Sequence, residues 1–504
     1  MDASRRAAQW GPTEHTVFDV AVIGGGINGA SVYHELCSHG YRTLLVEKAD
    51  FAGGTSQASA MFIWGGLLYL RNLEFASVAK YCRARDRMAR DLPEWVRACP
   101  IRYMPSREDS RSPQFILASL YLYWLLGGFH RARPRRESAY SERGLFGADR
   151  LFPSLVYEEA WVMPSDARFA LQWILAHRGP GQVALNYCEL RGGAYDGARQ
   201  AWRLELADGL TGRQAVARTR LVVNAAGVWT DRINCRFGVQ SAYKHVFGKG
   251  AFIGIPRDPR LSVPLIFETR HDADCMTLIP WGPVALWGPT ETFATDLEAG
   301  FRAEPEDVRL LLDELNRHVV RPVAGSDIVS LRCGVRPLAV ERSFTPGRHT
   351  LGLSRNLQIE RDRDVPWISI FGGKLTGCLD AARAAARLVR EAVRPSGAPA
   401  PAPAIPPRPV LEACPGLGRP VASARYCAEQ EWCWTLEDYL RRRSNIAQWV
   451  PRGGLGREDE HVPHLREIAR VFTGGGEAAA QEGVEAYRKK VDREFDRVLA
   501  ACGG

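Results

Sequence analysis

The sequence predicts an α/β fold: a dinucleotide-binding domain, a second domain of antiparallel sheet, and a helical domain at the C-terminal end. Three observations carry that expectation. Residues 18–48, FDVAVIGGGINGASVYHELCSHGYRTLLVEK, pass from a short apolar run through a glycine turn into a helical pattern, then into a second apolar run that ends in an acid. Residues 243–290 alternate short apolar runs with turn signals, as strands joined by tight turns do. Residues 395–409, PSGAPAPAPAIPPRP, read as an extended, semi-rigid linker, beyond which the pattern turns helical.

Each part of the first stretch has a physical job. Gly24, Gly26 and Gly29 fall in a G-x-G-x-x-G turn, with Ile27 and Asn28 between the last two. The first glycine allows the tight turn, the second lets backbone approach a pyrophosphate, and the third lets helix pack on strand. The positive end of the helix then faces the phosphates. Glu47 stands 18 residues after Gly29, placed to accept hydrogen bonds from a ribose 2′-hydroxyl and to disfavour a 2′-phosphate. That argues for FAD or NAD rather than NADP.

Length and composition set the limits. A chain of 504 residues has room for two or three domains and a large core. It has no apolar run of 18 residues, so no spanning helix is expected. Residues 1–17 are polar and charged without an apolar centre, which argues against a secretory signal and for a flexible leader. The net charge of +9 would suit acidic substrates, anionic lipid or nucleic acid, but it is spread without a long polybasic tract, so nucleic acid is not expected as a partner. The 12 cysteines show no paired C-x-x-C spacing; no metal site or disulfide framework is indicated, and reduced thiols in a cytoplasm fit the pattern.

After Glu47 and Lys48 comes DFAGGTSQASAMFIWGGLLYL, residues 50–70. Its glycine pairs, Gly53 with Gly54 and Gly65 with Gly66, bracket the hydroxyls of Thr55, Ser56 and Ser59. Such a segment can run along an extended cofactor, offering backbone N–H and hydroxyl donors to phosphate and to a flavin ring. Here the chain resembles the FAD-dependent glycerol-3-phosphate dehydrogenases, within the larger class of flavoenzymes that includes D-amino-acid oxidase. Their pattern is the same G-G-G-I-N-G turn, then V-E-K-x-D-F-A-x-G-T-S, then a run ending in H-G-G-L-R-Y-L. This chain keeps Glu47, Lys48, Asp50, Phe51, Ala52, Gly54, Thr55 and Ser56, then Gly65, Gly66, Leu67, Tyr69 and Leu70. It departs where substrate chemistry is expected. Trp64 stands where the family has His, Leu68 where it has Arg, and Ala58 and Met61 where it usually has Arg and Lys.

The resemblance implies a split Rossmann-like FAD-binding domain over 18–70, 163–235 and 350–394. An antiparallel-sheet substrate domain would take 71–162 and 236–349, and a helical domain 410–504, after the linker at 395–409. Asp166 and Arg168, in a segment like the family's D-A-R helix, read as structural. Leu190, ending a strand candidate over 183–190, would pass the adenine. Ala225, Ala226, Gly227 and Trp229 match an N-A-x-G-x-W signature, whose small residues let backbone run beside the dinucleotide. Arg336 lies in a G-x-R-P-L motif whose Arg meets an anionic substrate group; a guanidinium suits carboxylate or phosphate, with a structural arginine holding loop carbonyls as the alternative. Gly372, Gly373, Lys374, Leu375 and Thr376 match a G-G-K-L-T motif that closes over the flavin. Its backbone donors can offset charge on the reduced ring, and Lys374 could add positive charge or touch substrate. The family continues T-Y-R, but here Gly377, Cys378 and Leu379 follow.

Residues 114–129, QFILASLYLYWLLGGF, form the most apolar stretch and lead at once into Arg131, Arg133, Arg135 and Arg136. They read either as a buried or partner-covered helix or as a contact with a membrane surface. In the tail, Thr435 and Asp438 make a near capping box ahead of an L-R-R-R helix.

The function expected is transfer of a hydride from a carbon bearing a hydroxyl or an amine to FAD. Electrons would then pass to a quinone, a carrier protein or oxygen. The family's histidine base is Trp64 here, which leaves Lys374 and Tyr69 near the chemistry by motif and Arg336 to hold an acidic group. A substrate other than glycerol-3-phosphate is expected, an amino-acid-derived or specialised metabolite. The alternatives are an authentic glycerol-3-phosphate dehydrogenase and a flavin-binding interaction protein without turnover. The expected location is cytoplasmic or at the membrane periphery; the oligomeric state is left open, a homodimer included.

Overall fold

The structure, a computed structural model, describes residues 3–138, 140–147, 151–270, 275–294, 296–344, 357–398, 409–414 and 417–502. The strand Val17–Ile23 lies in the middle of a parallel sheet, between Thr43–Val46 and Gln214–Asn224. Gln182–Leu185 extends that sheet on one side and Trp367–Phe371 on the other, both in parallel. Such strands are buried on both faces, which explains their near-continuous apolar sequences. On one face the helix Ile27–Ser38 packs with Cys378–Ala392 and Asp166–Leu175 over Val20, Val22, Leu45 and Ile368. On the other face the antiparallel pair Cys188–Asp196 and Ala201–Asp208 buries Phe18, Trp202 and Trp367. Three separate parts of the chain thus meet in one Rossmann-like sheet.

The strand candidate over 183–190 breaks in two. Asn186 and Tyr187 turn between the strands, with Tyr187 at φ 52° and its N–H bonded to the Ala49 carbonyl. Leu190 therefore belongs to the covering meander; it is buried, and its carbonyl accepts from Arg236.

The flexible leader is corrected. Residues Ala3–His15 form a helix docked on the protein. Arg6 is 1% exposed and forks onto Asp208 at 2.7 and 2.9 Å, with a third bond to the Asn186 carbonyl. Trp10, one turn along, is buried in the core below the meander. Polar composition misleads here because the charge is neutralised inside a pair; the signal was the spacing of Arg6 and Trp10 on one helical face.

A second sheet has ten strands among the described residues. At its heart Tyr243–Pro256 pairs with Ser330–Glu341 over twelve residues, and Cys275–Trp281 turns at Gly282 and Pro283 into Val284–Gly288. All its pairings are antiparallel except that of Leu265–Glu268 with Val96–Tyr103. Phe62–Ile63, directly downstream of the first nucleotide-binding elements, is its far edge, so the two sheets are joined by the 50–70 segment. The tail is mainly helical, including Val462–Phe472 and Glu477–Val491. Thr435 and Asp438 make reciprocal cap bonds there. Most of the expected linker, 399–408, lies outside the described residues.

The helical tail is fastened through Asp50. This carboxylate is 1% exposed and accepts from Arg442, from both terminal nitrogens of Arg443 at 2.9 and 3.0 Å, and from Asn186 at 2.9 Å. Burial alone would push its pKa up, but the two guanidinium groups outweigh it and hold the group at about 2. Asp166 and Arg168 are structural in the same way. Asp166 pairs with Arg332 at 2.6 Å and caps Ser59, while Arg168 pairs with Glu431 and bonds the Arg443 carbonyl.

Two outcomes follow from this packing. Asp50→Ala removes the carboxylate shared by two buried guanidinium groups, leaving Arg442 to Asp438 and Arg443 to Glu431, and should cost about 3–5 kcal/mol; an unfolding free energy from urea titration that falls by less than a fifth of that would show the clamp to be dispensable. The second concerns His34 and His177, whose ring nitrogens lie 2.9 Å apart. Burial lowers their pKa values to about 4 and about 3, the latter helped by His34. The unfolded chain takes up these protons near 6.5, so the stabilisation is complete above that pH and drains away as pH falls toward 4. Stability at pH 5 should lie about 2–4 kcal/mol below that at neutrality on account of this pair. His177→Gln should flatten that dependence in urea titrations at the two pH values.

Candidate functional site

The glycine turn is shaped by contacts that leave no room for side chains. Gly24 has φ +103°, and a Cβ there would sit 2.6 Å from the Ala225 carbonyl. A Cβ on Gly29 would sit 1.9 Å from the Gly24 carbonyl, so the helix starts directly on the turn. Gly26 is the residue before the helix, and the Ser56 hydroxyl accepts the Ile27 N–H at 2.8 Å. Ser56 from the 50–70 segment thus stands at the positive end of the helix, where anions are favoured.

Other predicted residues converge on this point. Asn28 donates from Nδ2 to the Gly372 carbonyl at 3.1 Å, and its Oδ1 is buried with no hydrogen-bond partner among the described residues. Gly372 and Gly373 have φ values of +71° and +95°, which few residues but glycine adopt. Ala225 and Ala226 lie against Gly24, and Gly227 turns at φ +58° into the short helix that carries Trp229.

Glu47 accepts from the backbone N–H of Gly25 at 2.8 Å and of Ala49 at 2.9 Å. Burial raises its pKa, opposed by those two bonds. Each carboxylate oxygen retains a lone pair for a ribose hydroxyl. Lys48 is exposed and places its ammonium 3.8 Å from the centre of the Trp229 ring, which stacks on Phe301. The cramped glycine turn, the helix end and the orphaned Asn28 oxygen fit a dinucleotide.

A second cluster surrounds Lys374. Its Nζ donates to the Tyr69 hydroxyl at 3.3 Å and lies 3.4 Å from the Tyr81 ring centre, whose own phenol burial pushes up to about 12. Thr376 donates to the Trp64 carbonyl at 2.9 Å, and the Trp64 ring tilts against Phe62. Leu375 is buried beside them, and Leu67 opens the turn Leu67–Asn72. Leu68 on that turn is exposed, whereas Met61 is fully buried. Gly65 rests on a buried group: its N–H bonds Glu159, and a Cβ would reach the Tyr123 hydroxyl at 2.1 Å. Gly66 is left-handed, at φ +91°.

Thr55 donates to the Val335 carbonyl at 2.5 Å, tying the cofactor segment to the strand Ser330–Glu341. On one face of that strand Gly334 abuts Ala58, and Arg336 follows two residues on. Its guanidinium lies so close to Gly250 that a Cβ there would sit 2.4 Å from Nη2, and it pairs with Glu291.

Glu291 was not anticipated, nor was the pair of His245 and Asp231 behind Gly372, nor the buried set of Arg85, Tyr123 and Glu159 beneath Gly65. Each is an isolated residue without a spacing motif, so only the fold brings it to the site.

Known proteins bear on this arrangement. Residues 19–359 match the family model described as DAO, FAD dependent oxidoreductase. The aerobic glycerol-3-phosphate dehydrogenase of Escherichia coli is 30% identical over 71% of this chain and 70% of its own. Glycerol-3-phosphate dehydrogenase 2 of Mycobacterium tuberculosis is 31% identical over 75% of this chain and 63% of its own. Among solved structures, the Bacillus halodurans glycerol-3-phosphate dehydrogenase complexed with FAD aligns over 98% of both chains, with a TM-score of 0.69 at 19% identity. The L-amino acid deaminase of Proteus vulgaris aligns over 76% of this chain and 95% of its own, with a TM-score of 0.53 at 14% identity.

Proposed function

Because the chain belongs to the FAD dependent oxidoreductase family, we propose that it oxidises a small zwitterionic or weakly charged metabolite, amino-acid-derived, at a C–N or C–OH carbon. It is an FAD-dependent oxidoreductase. When bound, FAD supplies the hydride acceptor. The glycine turn, Ser56, Asn28, Glu47 and the residues 372–376 hold the cofactor in this reading, with Ala225, Ala226 and Gly227 beside it.

The single observation that carries the substrate reading is the pairing of Arg336 with Glu291. Such a pair has no net charge. Its arginine can hold a carboxylate while its glutamate faces an ammonium or hydroxyl group. A phosphate dianion in the same place would meet the Glu291 carboxylate. Like charges about 4 Å apart repel by roughly 4 kcal/mol at an effective dielectric of 20. Trp64, Ala58 and Met61 add no positive charge to compensate, and Lys374 is held against Tyr69 and Tyr81. Trp64 narrows the space, and Lys374 offers positive charge toward the flavin.

A second reading is favoured by the relatives at about 30% identity: both are named glycerol-3-phosphate dehydrogenases. Anaerobic mixing separates the two. Amino acids or secondary amines should bleach the flavin absorbance, and Arg336→Leu should raise the concentration needed at least tenfold. Bleaching by glycerol-3-phosphate at the lowest concentration of the panel would give the decision to the second reading. No bleaching by any member would favour a binding protein.

For the electron acceptor, a membrane quinone is the reading best supported by the surface. The helix Pro113–Leu126 buries Ile116, Leu120 and Tyr123 but exposes Phe115, Leu122 and Leu125, with Phe129 beside them. Next to it lies a hollow of about 680 Å³ lined by Arg83, Arg87, Arg90, Arg97, His130, Arg131 and Asp86, in which Arg131 pairs with Asp86, Arg87 with Asp380 and Arg90 with Asp91. Apolar side chains flanked by arginines suit an anionic bilayer surface. No helix among the described residues is long and apolar enough to cross a membrane. The protein should pellet with vesicles containing phosphatidylglycerol, and replacing Phe115 and Leu125 by Ser should weaken this at least tenfold; equal pelleting of the variant would leave the face without this role.

A further inference from the structure

The turn at Gly372 and Gly373 is held from behind by a histidine to which no motif points. The Gly372 N–H donates to Nε2 of His245 at 3.0 Å, and Nδ1 of the same ring lies 2.6 Å from an Asp231 carboxylate oxygen. The imidazole is 1% exposed and packs against Phe371 and Phe247. A backbone N–H can only donate, so Nε2 presents its lone pair and the ring proton sits on Nδ1, where Asp231 accepts it. Asp231 therefore selects the tautomer that lets His245 act as an acceptor.

The other end of the Gly372 residue is fixed as well, since its carbonyl accepts from Asn28 at the start of the nucleotide-binding helix. His245 and Asn28 thus hold the N–H and C=O of a glycine in left-handed conformation. Holding both fixes the direction in which the following peptide groups present their N–H donors ahead of the helix Cys378–Ala392. Donors aimed in advance cost no reorganisation when negative charge arrives on a bound ring.

We propose that His245, oriented by Asp231, is a positioning residue that sets the turn at Gly372 and Gly373 against the flavin. It makes the ring easier to reduce and tightens FAD binding. This rests on the reading that residues 372–376 meet the cofactor, and it goes beyond that reading by naming what aligns them. His245 itself takes no proton from substrate.

The test uses the full-length holoprotein and three variants: His245→Phe keeps the ring packing without the acceptor, His245→Gln restores an acceptor near Nε2, and Asp231→Ala removes the tautomer's partner from a residue that is one-third exposed. FAD dissociation is followed by flavin fluorescence and the midpoint potential by dye-coupled reduction, with ¹⁵N spectra of the histidine rings in the wild type. Expected are dissociation at least tenfold faster and a lower potential for His245→Phe, recovery to within about threefold for His245→Gln, and an intermediate loss for Asp231→Ala. The ring should show a protonated Nδ1 and an unprotonated Nε2. Unchanged affinity and potential in His245→Phe, or a His245→Gln protein as impaired as His245→Phe, would overturn the assignment. Should His245→Phe not fold, an Asp231→Ala protein equal to wild type, or a ring protonated at Nε2, would overturn it equally. A wild type that takes up no FAD would bring down the cofactor reading as well.

Discussion

The carboxylate of Asp50 is the constraint on which the assembly of this chain depends. It lies three residues beyond Glu47, on the stretch that leaves the nucleotide-binding sheet, and it is the anion for two arginines of the helical tail. A buried guanidinium without a partner is costly, and Asp50, helped by Asp438 and Glu431, supplies the anion on which those arginines settle. Asn186, at the break between the strands Gln182–Leu185 and Cys188–Asp196, donates to Asp50 and accepts from Trp434 of the tail. Arg6 of the first helix reaches the carbonyl of the same Asn186. First helix, parallel sheet and helical tail therefore share one hydrogen-bonded junction beside the segment that shapes the cofactor turn.

Charge at the candidate site is arranged differently from charge at that junction. Asp50 gathers cations into a fully buried network that nothing needs to enter. Arg336 and Glu291 are partly exposed and pair with each other, the pair on which the proposed substrate reading rests. The first arrangement suits permanence and the second suits exchange. The same reasoning separates Lys374, lodged between two tyrosines with its charge toward their faces, from a surface lysine: aromatic faces stabilise the ammonium without neutralising it.

How far the sequence reached follows from what each residue depends on. The glycine turn was legible because its demands are local: Gly29 has to be glycine because a carbonyl five residues earlier occupies the space of its Cβ. The turn at Asn186 is not legible in the sequence because apolar residues continue on both sides of it, and only Tyr187 in a left-handed conformation reveals the break between strands. The docked first helix was missed because Arg6 is buried through a partner about two hundred residues away. His245 has the same character. A lone histidine on a strand says nothing until the fold places a glycine N–H at one nitrogen and an aspartate at the other.

The buried group beneath Gly65 carries the synthesis one step further. Glu159 accepts from the Gly65 N–H, from Arg85 at 2.9 Å and from the Tyr123 hydroxyl, all in the interior. Tyr123 projects from the helix whose opposite face exposes Phe115, Leu122 and Leu125. A ligand or surface that shifted this helix would move a hydroxyl bonded to the carboxylate that holds Gly65. Because a Cβ at Gly65 would collide with that hydroxyl, helix and glycine turn are packed without slack. Close packing of this kind would pass a displacement of the helix on to the turn. An apolar outer face and a glycine loop beside Trp64 are thus linked through one tyrosine and the carboxylate it shares with Gly65.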